Sequence, residues 1–426
     1  MPNNPQIIYH YIMKKSLSLI PAALCLLLAA LAPEAKAQEI TVFNSENNAT
    51  QEPFCLDVPV EDGNYLVKVT LGSRRRSGDT FIKAESRRLF ANGVATAKGE
   101  QKVISFVVNK RDPVIRNEQG NQVGQVKLKS REFGKLNWDD CLNLEILGSA
   151  PAVQKITIEK VNVPTVFLCG DSTVVDQDNE PWASWGQMFP YFLDEGIAVA
   201  NYAESGERTD TFIGAGRLDK ILSVLQNGDY VLVEFGHNDQ KINSRPGGGA
   251  YYFFATQLKT FIDRVREKGG IPVLVSPTHR RNFDSEGKII ETHLDYPEAM
   301  KWVAEREGVT FIDLHRMSAV LYEALGVEGS KKAFVHYPAG SYPGMMRDTA
   351  DNTHFNAYGA FELAKCMVGA LQLSGLGIAD HIVNFSGFNP ARPDRVEDFR
   401  WDDSQYRDLA PQVLEKDDKP SAVPSR

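Results

Sequence analysis

A single proline divides this chain into two textures, and the division does more than any other feature to limit its fold. Beyond Pro164 come five short runs: Val166-Phe167-Leu168-Cys169, Ala198-Val199-Ala200-Asn201-Tyr202, Tyr230-Val231-Leu232-Val233-Glu234-Phe235, Ile271-Pro272-Val273-Leu274-Val275 and Thr310-Phe311-Ile312-Asp313-Leu314. They are apolar on consecutive residues, as strands covered on both faces must be. Helical periodicity fills the gaps, for example from Ala255 to Lys268 and from Tyr296 to Glu307, and Ala357 to Leu373 adds a last long helix. Strands alternating with helices predict a doubly wound parallel sheet of the α/β class over residues 164–378, with its ligand site at the carboxyl ends of the strands.

Before Pro164 the texture is β-like. Tyr65 to Leu71, Val103 to Val108, Leu142 to Leu147 and Val153 to Val161 show alternation or β-branched enrichment, separated by Gly, Asn and Asp clusters. Strands at short spacing without helical runs predict a β-sandwich or jelly roll over residues 38–163. Residues 379–426, rich in Pro and Asp, read as a partly ordered tail. Of 426 residues, 42% are apolar, enough for a sizeable core.

Residues 1–37 read as an export signal. Lys14 and Lys15 precede an apolar run from Leu17 to Ala32, and Ala35-Lys36-Ala37 supplies small residues for cleavage. The run is shorter than the ~20 residues a membrane span needs, and Pro21 interrupts it. Translation starting at Met13 rather than Met1 would give the more ordinary signal. The expected location is periplasmic or extracellular, with no membrane attachment once the signal is removed. Export permits disulfides, and Cys55 and Cys141 can pair if their strands are neighbours. Cys169 and Cys366 read as core thiols. The net charge of -8, with no basic run beyond Arg74-Arg75-Arg76, argues against a nucleic-acid partner.

Four short blocks carry the chemistry. Gly170-Asp171-Ser172-Thr173 follows the first parallel strand, Ser205-Gly206 the second and Gly236-His237-Asn238-Asp239 the third, while Asp351-Asn352-Thr353-His354 opens the last helix. Ser172 is a nucleophile in need of a base. His354, with Asp351 three residues before it, is the best base, because a carboxylate at that spacing can hold one imidazole nitrogen and leave the other for the serine. His237, His279, His293, His315 and His336 are rival bases, but none has an acidic residue at that spacing beside a helix start. The Ser172 amide, the Gly206 amide and the Asn238 side chain suit an oxyanion hole. No Gly-x-Ser-x-Gly elbow occurs, which argues against the ordinary lipase fold. Asp176, Asp178 and Glu180 lack the spacing of a calcium loop, and no zinc spacing is present. No cofactor and no metal are expected.

These blocks resemble those of the SGNH (GDSL-type) hydrolases, with Ser172, Gly206, Asn238 and His354 at the four eponymous positions. The nearest likeness is to rhamnogalacturonan acetylesterases, through Gly-Asp-Ser-Thr, Gly216-Arg217-Leu218 and the sequence around Asp351 to Phe355. The resemblance, over about residues 164–375, implies a flavodoxin-like three-layer sheet and removal of acetyl groups from pectic rhamnogalacturonan through a serine acyl-enzyme; the sandwich before it is expected to be galactose-binding-like. An acetylated polysaccharide or oligosaccharide is then the partner. Arg208, His237, Arg280 and Arg281 are candidates for holding it, and Trp182 and Trp185 for stacking on a sugar or filling the core. The second block, Ala203-Glu204-Ser205-Gly206-Glu207-Arg208-Thr209, departs from the family form at Glu207. Two rivals stand beside this reading: an SGNH esterase acting on xylan or acyl lipids, and a carbohydrate-binding protein working through its β-domain.

Overall fold

The computed structural model describes residues 39–45, 49–50, 52–244 and 247–403, all within one compact unit. The expected export signal and the end of the tail, 404–426, lie outside them. Strands of the N-terminal part are β1 (Ile40–Asn44), β2 (Phe54–Pro59), β3 (Gly63–Leu71), β4 (Gly78–Ala84), β5 (Arg88–Thr96), β6 (Lys102–Lys110), β7 (Val114–Arg116), β8 (Gln122–Gln125), β9 (Cys141–Ala150) and β10 (Val153–Val161). Beyond Pro164 come β11 (Thr165–Cys169), β12 (Ala198–Asn201), β13 (Tyr230–Glu234), β14 (Ile271–Val275), β15 (Thr310–Ile312) and a hairpin of β16 (Phe334–Tyr337) with β17 (Thr349–Phe355). The α-helices are α1 (Trp185–Met188), α2 (Thr209–Gly214), α3 (Arg217–Val224), α4 (Ala255–Glu267), α5 (Tyr296–Glu307), α6 (Leu314–Gly329) and α7 (Ala357–Gln372).

The five apolar runs pair in parallel in the order β12-β11-β13-β14-β15, the flavodoxin-like arrangement. Their alternate side chains feed two separate cores. Val166, Leu168, Leu232 and Val273 face α7 and α1, whereas Phe167, Cys169, Val231, Val233 and Leu274 face α3, α4 and α5. The second core shows why α4 is a helix: Leu258, Phe261, Ile262 and Val265, at helical spacing, are its buried stripe. Burial of such side chains on both faces gives ~1.5–3 kcal/mol each.

The N-terminal strands form the expected sandwich. Sheet β2-β9-β4-β5 packs on β1-β10-β3-β6 through Val67, Val69, Ile82, Phe106, Leu144, Ile146 and Ile156. The sandwich is not a detached domain, however. Strand β6 joins β12 in parallel at Val108 and Val199, so both halves share one nine-stranded sheet.

One expectation needs correction. Strands β2 and β9 are neighbours, but Cys55 lies opposite Glu145 and Cys141 opposite Pro59, four residues apart along the ladder; both thiols are free. At ~3.3 Å per residue that offset exceeds disulfide reach. The tail, as far as Asp403, is packed. Phe385, Phe388, Phe399 and Trp401 lie against the first core, Trp401 donates to Glu180 at 2.9 Å, and Lys83 Nζ stands 3.6 Å above the Trp401 ring. Among the described residues no helix is long and apolar enough to cross a membrane.

Candidate active site

Ser172 stands in the turn that leaves β11. Gly170 allows this turn to close, since a Cβ there would sit 2.5 Å from Val174 Cγ2. Asp171 then organises it, accepting from the Thr173 amide at 3.1 Å while its own carbonyl accepts from Val174 and Val175.

His354 arrives by a route the sequence concealed. It lies on β17, not in the first turn of α7, which begins at Ala357 behind an Asn356 cap. In the hairpin, Phe334 pairs with Phe355 but His336 pairs with Ala350, so β17 carries extra residues across that interval. The surplus bulges outward as 351–354, as an interrupted ladder must. Inside the bulge Asp351 Oδ1 accepts the amides of Thr353 at 2.8 Å and His354 at 3.0 Å.

The two segments meet in a continuous line. Ser172 Oγ is 2.8 Å from His354 Nε2, and His354 Nδ1 is 2.7 Å from Asp351 Oδ2. The carboxylate fixes the hydrogen on Nδ1 and leaves Nε2 able to accept from the serine. Burial pushes the Asp351 carboxyl up, but the hydrogen bond and charge of His354 and the two amides outweigh it, and the net shift is downward. Ser172 is 9% exposed, and the His354 side chain 30%, so a ligand can reach both.

The remaining blocks interlock around this line. Gly206 has φ +76°, left-handed backbone that suits glycine, within the turn where Glu207 N donates to Glu204 O. Asn238 Nδ2 donates to Glu207 O at 2.9 Å and points at Asp171 Oδ2 at 3.4 Å, joining the first three blocks. Asp239 accepts from both the amide and hydroxyl of Thr209 at the start of α2, and burial pushes its carboxyl up to about 7.

Several groups escaped the sequence reading. Glu234, ending β13, lies beneath the nucleophile turn against Thr173 and Trp185; burial first, then the Asp171 charge, pushes it up to about 8. Trp185 is thus a core residue bonded to an acid, not a sugar platform. The acids that looked like loose loop charge are partners of cations from the sandwich half. Asp176 pairs with Arg88 at 2.7 Å, Asp178 with Lys135 at 2.7 Å, and Glu180 with Arg87. The second loop is gripped likewise, Glu204 by Arg131 and Glu207 by Lys129, both at 2.6 Å. Nothing in the local sequence could have signalled these pairs, because their members lie far apart along the chain.

The proposed carbohydrate holders are mostly committed elsewhere. Arg281 is buried and donates to Ser330, Asn352 and Val327, so it buttresses the bulge instead of facing a ligand. His237 is 2% exposed and bonded to His293 and Thr278. Arg208 forms a fork on Asp210. Arg280, half-buried, donates to His237 O and Thr292, with Asp171 close enough to act on its charge.

The chain belongs to the GDSL-like Lipase/Acylhydrolase family, whose model matches residues 168–360, and it is an esterase. It is 43% identical over 224 residues to the rhamnogalacturonan acetylesterase RhgT of Bacillus subtilis (strain 168), a match covering 52% of this chain and 95% of that protein. A probable rhamnogalacturonan acetylesterase, YesY, from the same organism is 32% identical over 220 residues, covering 51% and 97%. The uncharacterized esterase YxiM, also of that organism, is 25% identical over 345 residues, covering 80% of this chain and 78% of its own length.

Proposed function

We propose that this protein is an exported carbohydrate acetylesterase that removes O-acetyl groups from pectic rhamnogalacturonan through an acetyl-serine intermediate. One observation carries the mechanism: the unbroken line from Ser172 through His354 to Asp351, at 2.8 and 2.7 Å. Ser172 Oγ attacks the acetyl carbonyl as its proton passes to His354 Nε2, and Asp351 stabilises the imidazolium. Collapse returns that proton to the leaving sugar hydroxyl. Water then attacks the acetyl-serine with His354 as base and releases acetate. The Ser172 and Gly206 amides hold the oxyanion together with Asn238 Nδ2, which exchanges its long 3.4 Å contact to Asp171 for the ligand; each donor lowers the barrier by ~3 kcal/mol.

The substrate class rests on the likeness to RhgT along nearly that protein's whole length. Export rests on the signal pattern of residues 1–37. Acetate release from acetylated rhamnogalacturonan and from acetylated xylan, by the protein and by Ser172→Ala, tests both parts. The expected result is release mainly from the pectic polymer, reduced at least ~1,000-fold in the variant. Preference for xylan would discard the pectin assignment, and wild-type turnover by Ser172→Ala would discard the mechanism.

A further inference from the structure

A second group of histidines gathers near the third loop, and the ester chemistry uses none of it. His279, Glu291, His293 and His315 each offer one ligand atom, and these atoms all lie within 4.8 Å of one another. His279 follows β14, Glu291 and His293 come from the excursion before α5, and His315 sits in the first turn of α6. The three imidazoles are buried, while Glu291, with 47% of its side chain exposed, closes the outer side.

For two of the three imidazoles the second shell is arranged as a metal centre needs it. Pro277 O can only accept, so His315 Nδ1, 2.8 Å away, carries the hydrogen and turns a lone pair on Nε2 toward the cluster. His293 Nε2 lies 3.0 Å from His237 Nδ1, and His237 Nε2 lies 3.2 Å from Thr278 Oγ1. With each ring donating onward along that relay, His293 Nδ1 keeps its lone pair, 3.7 Å from Glu291 Oε1 and with the Thr292 hydroxyl at 3.5 Å. Ligating histidines are commonly held by such a bond from their other nitrogen. One contact in the cluster calls for a positive charge between its members. His315 Nε2 and Glu291 Oε2, both acceptors in this tautomer, stand 2.6 Å apart. The His279 ring stacks at 3.5 Å on that of His315 and turns its Nε2 toward Glu291, 4.0 Å away.

We propose that His279, Glu291, His293 and His315 form a zinc site. The spacings from Glu291 oxygens, 4.0 Å to His279 Nε2, 3.7 Å to His293 Nδ1 and 2.6 Å to His315 Nε2, bracket the ~3.4 Å between ligands of a tetrahedral ion with bonds of about 2.1 Å. Three imidazoles and one carboxylate favour Zn²⁺ over the hard cations Ca²⁺ and Mg²⁺, which take oxygen ligands. Four protein ligands describe a closed, structural centre. Its work is to staple the excursion 280–295 to the loop carrying Asn238. His293 reaches His237 directly, and Arg280 ties Thr292 to the His237 carbonyl.

The test uses the untagged full chain, stripped with a chelator and desalted, beside Glu291→Gln and His279→Gln. ZnCl₂ is titrated in competition with a chromophoric chelator, and thermal unfolding is followed with ZnCl₂, CaCl₂ or MgCl₂. The expected result is one Zn²⁺ per chain, with Tm raised by zinc alone. Affinity should fall at least ~100-fold in each variant, since loss of mere second-shell partners already costs 10–100-fold. Glu291 is half-exposed, so its variant should fold even if the His279 variant does not. Absence of saturable zinc binding by the folded wild type would overturn the site, as would undiminished binding by Glu291→Gln.

Discussion

The loops that carry the reactive groups are held by two different kinds of support. The first two, after β11 and β12, lean on the sandwich half through charge pairs: Asp176 on Arg88, Asp178 on Lys135, Glu204 on Arg131 and Glu207 on Lys129. The third loop and the bulge on β17 are tied within the parallel half, where Arg280 and Arg281 donate to neutral acceptors at His237, Thr292, Asn352 and Ser330. Ser172 belongs to the first support and His354 to the second, so their hydrogen bond bridges the two. The difference matters because a fully buried charge stripped of its partner costs ~3–5 kcal/mol, whereas one lost hydrogen bond to a charged donor costs ~1.5–3 kcal/mol. The cross-half support is therefore the more vulnerable to a single substitution.

The largest effect should come from cutting the line between the supports while sparing both. Asp351→Asn is expected to lower kcat ~10⁴-fold with little change in Tm, because an amide neither fixes the Nδ1 tautomer nor stabilises the imidazolium. A loss below tenfold would mean that Asp351 does not orient the base. Next comes the cross-half support itself. Arg88→Met leaves Asp176 buried and unpaired, both side chains being fully buried, and urea unfolding should register a loss of ~3–5 kcal/mol. Arg281→Lys, which keeps the charge and gives up part of the fork to Ser330, Asn352 and Val327, probes the second support and should cost about 2 kcal/mol. If it cost more than Arg88→Met, the ranking of the two supports would be reversed.

A further effect is one of pH. Glu234 lies under the first loop with its folded pKa raised from 4.5 to about 8. Between those values the folded state holds a proton that the unfolded state has released. Its stabilising contribution is thus complete below about pH 4.5 and declines as pH rises to about 8. Glu234→Gln should lose less stability than wild type when pH is raised from about 5 to 8.5. Equal slopes in denaturation series would show that this carboxyl does not govern the alkaline limb.

Much of the fold could be read in advance, and the reasons are local. The runs at Val166, Tyr230 and Ile271 declared themselves as doubly buried strands because both faces must be apolar, and α4 because its buried residues recur at helical spacing. Ser172, His354 and Asp351 were legible for a similar reason: each stands in a short block beside a glycine or an acid of fixed spacing. The bulge that presents His354 was not legible, since it depends on how many residues β16 sets against β17.

By its sequence alone this protein was determined to be a two-textured α/β chain with Ser172, Asp351 and His354 set in short blocks as candidates for one site, because periodicity and short motifs are relations between near neighbours. Tertiary structure alone decided that both halves share one sheet, that Cys55 and Cys141 miss each other, and that sandwich cations hold the first two loops. It also decided that His279, Glu291, His293 and His315 converge. Each of these turns on register and topology between distant segments, where a shift of one residue carries a side chain to the opposite face.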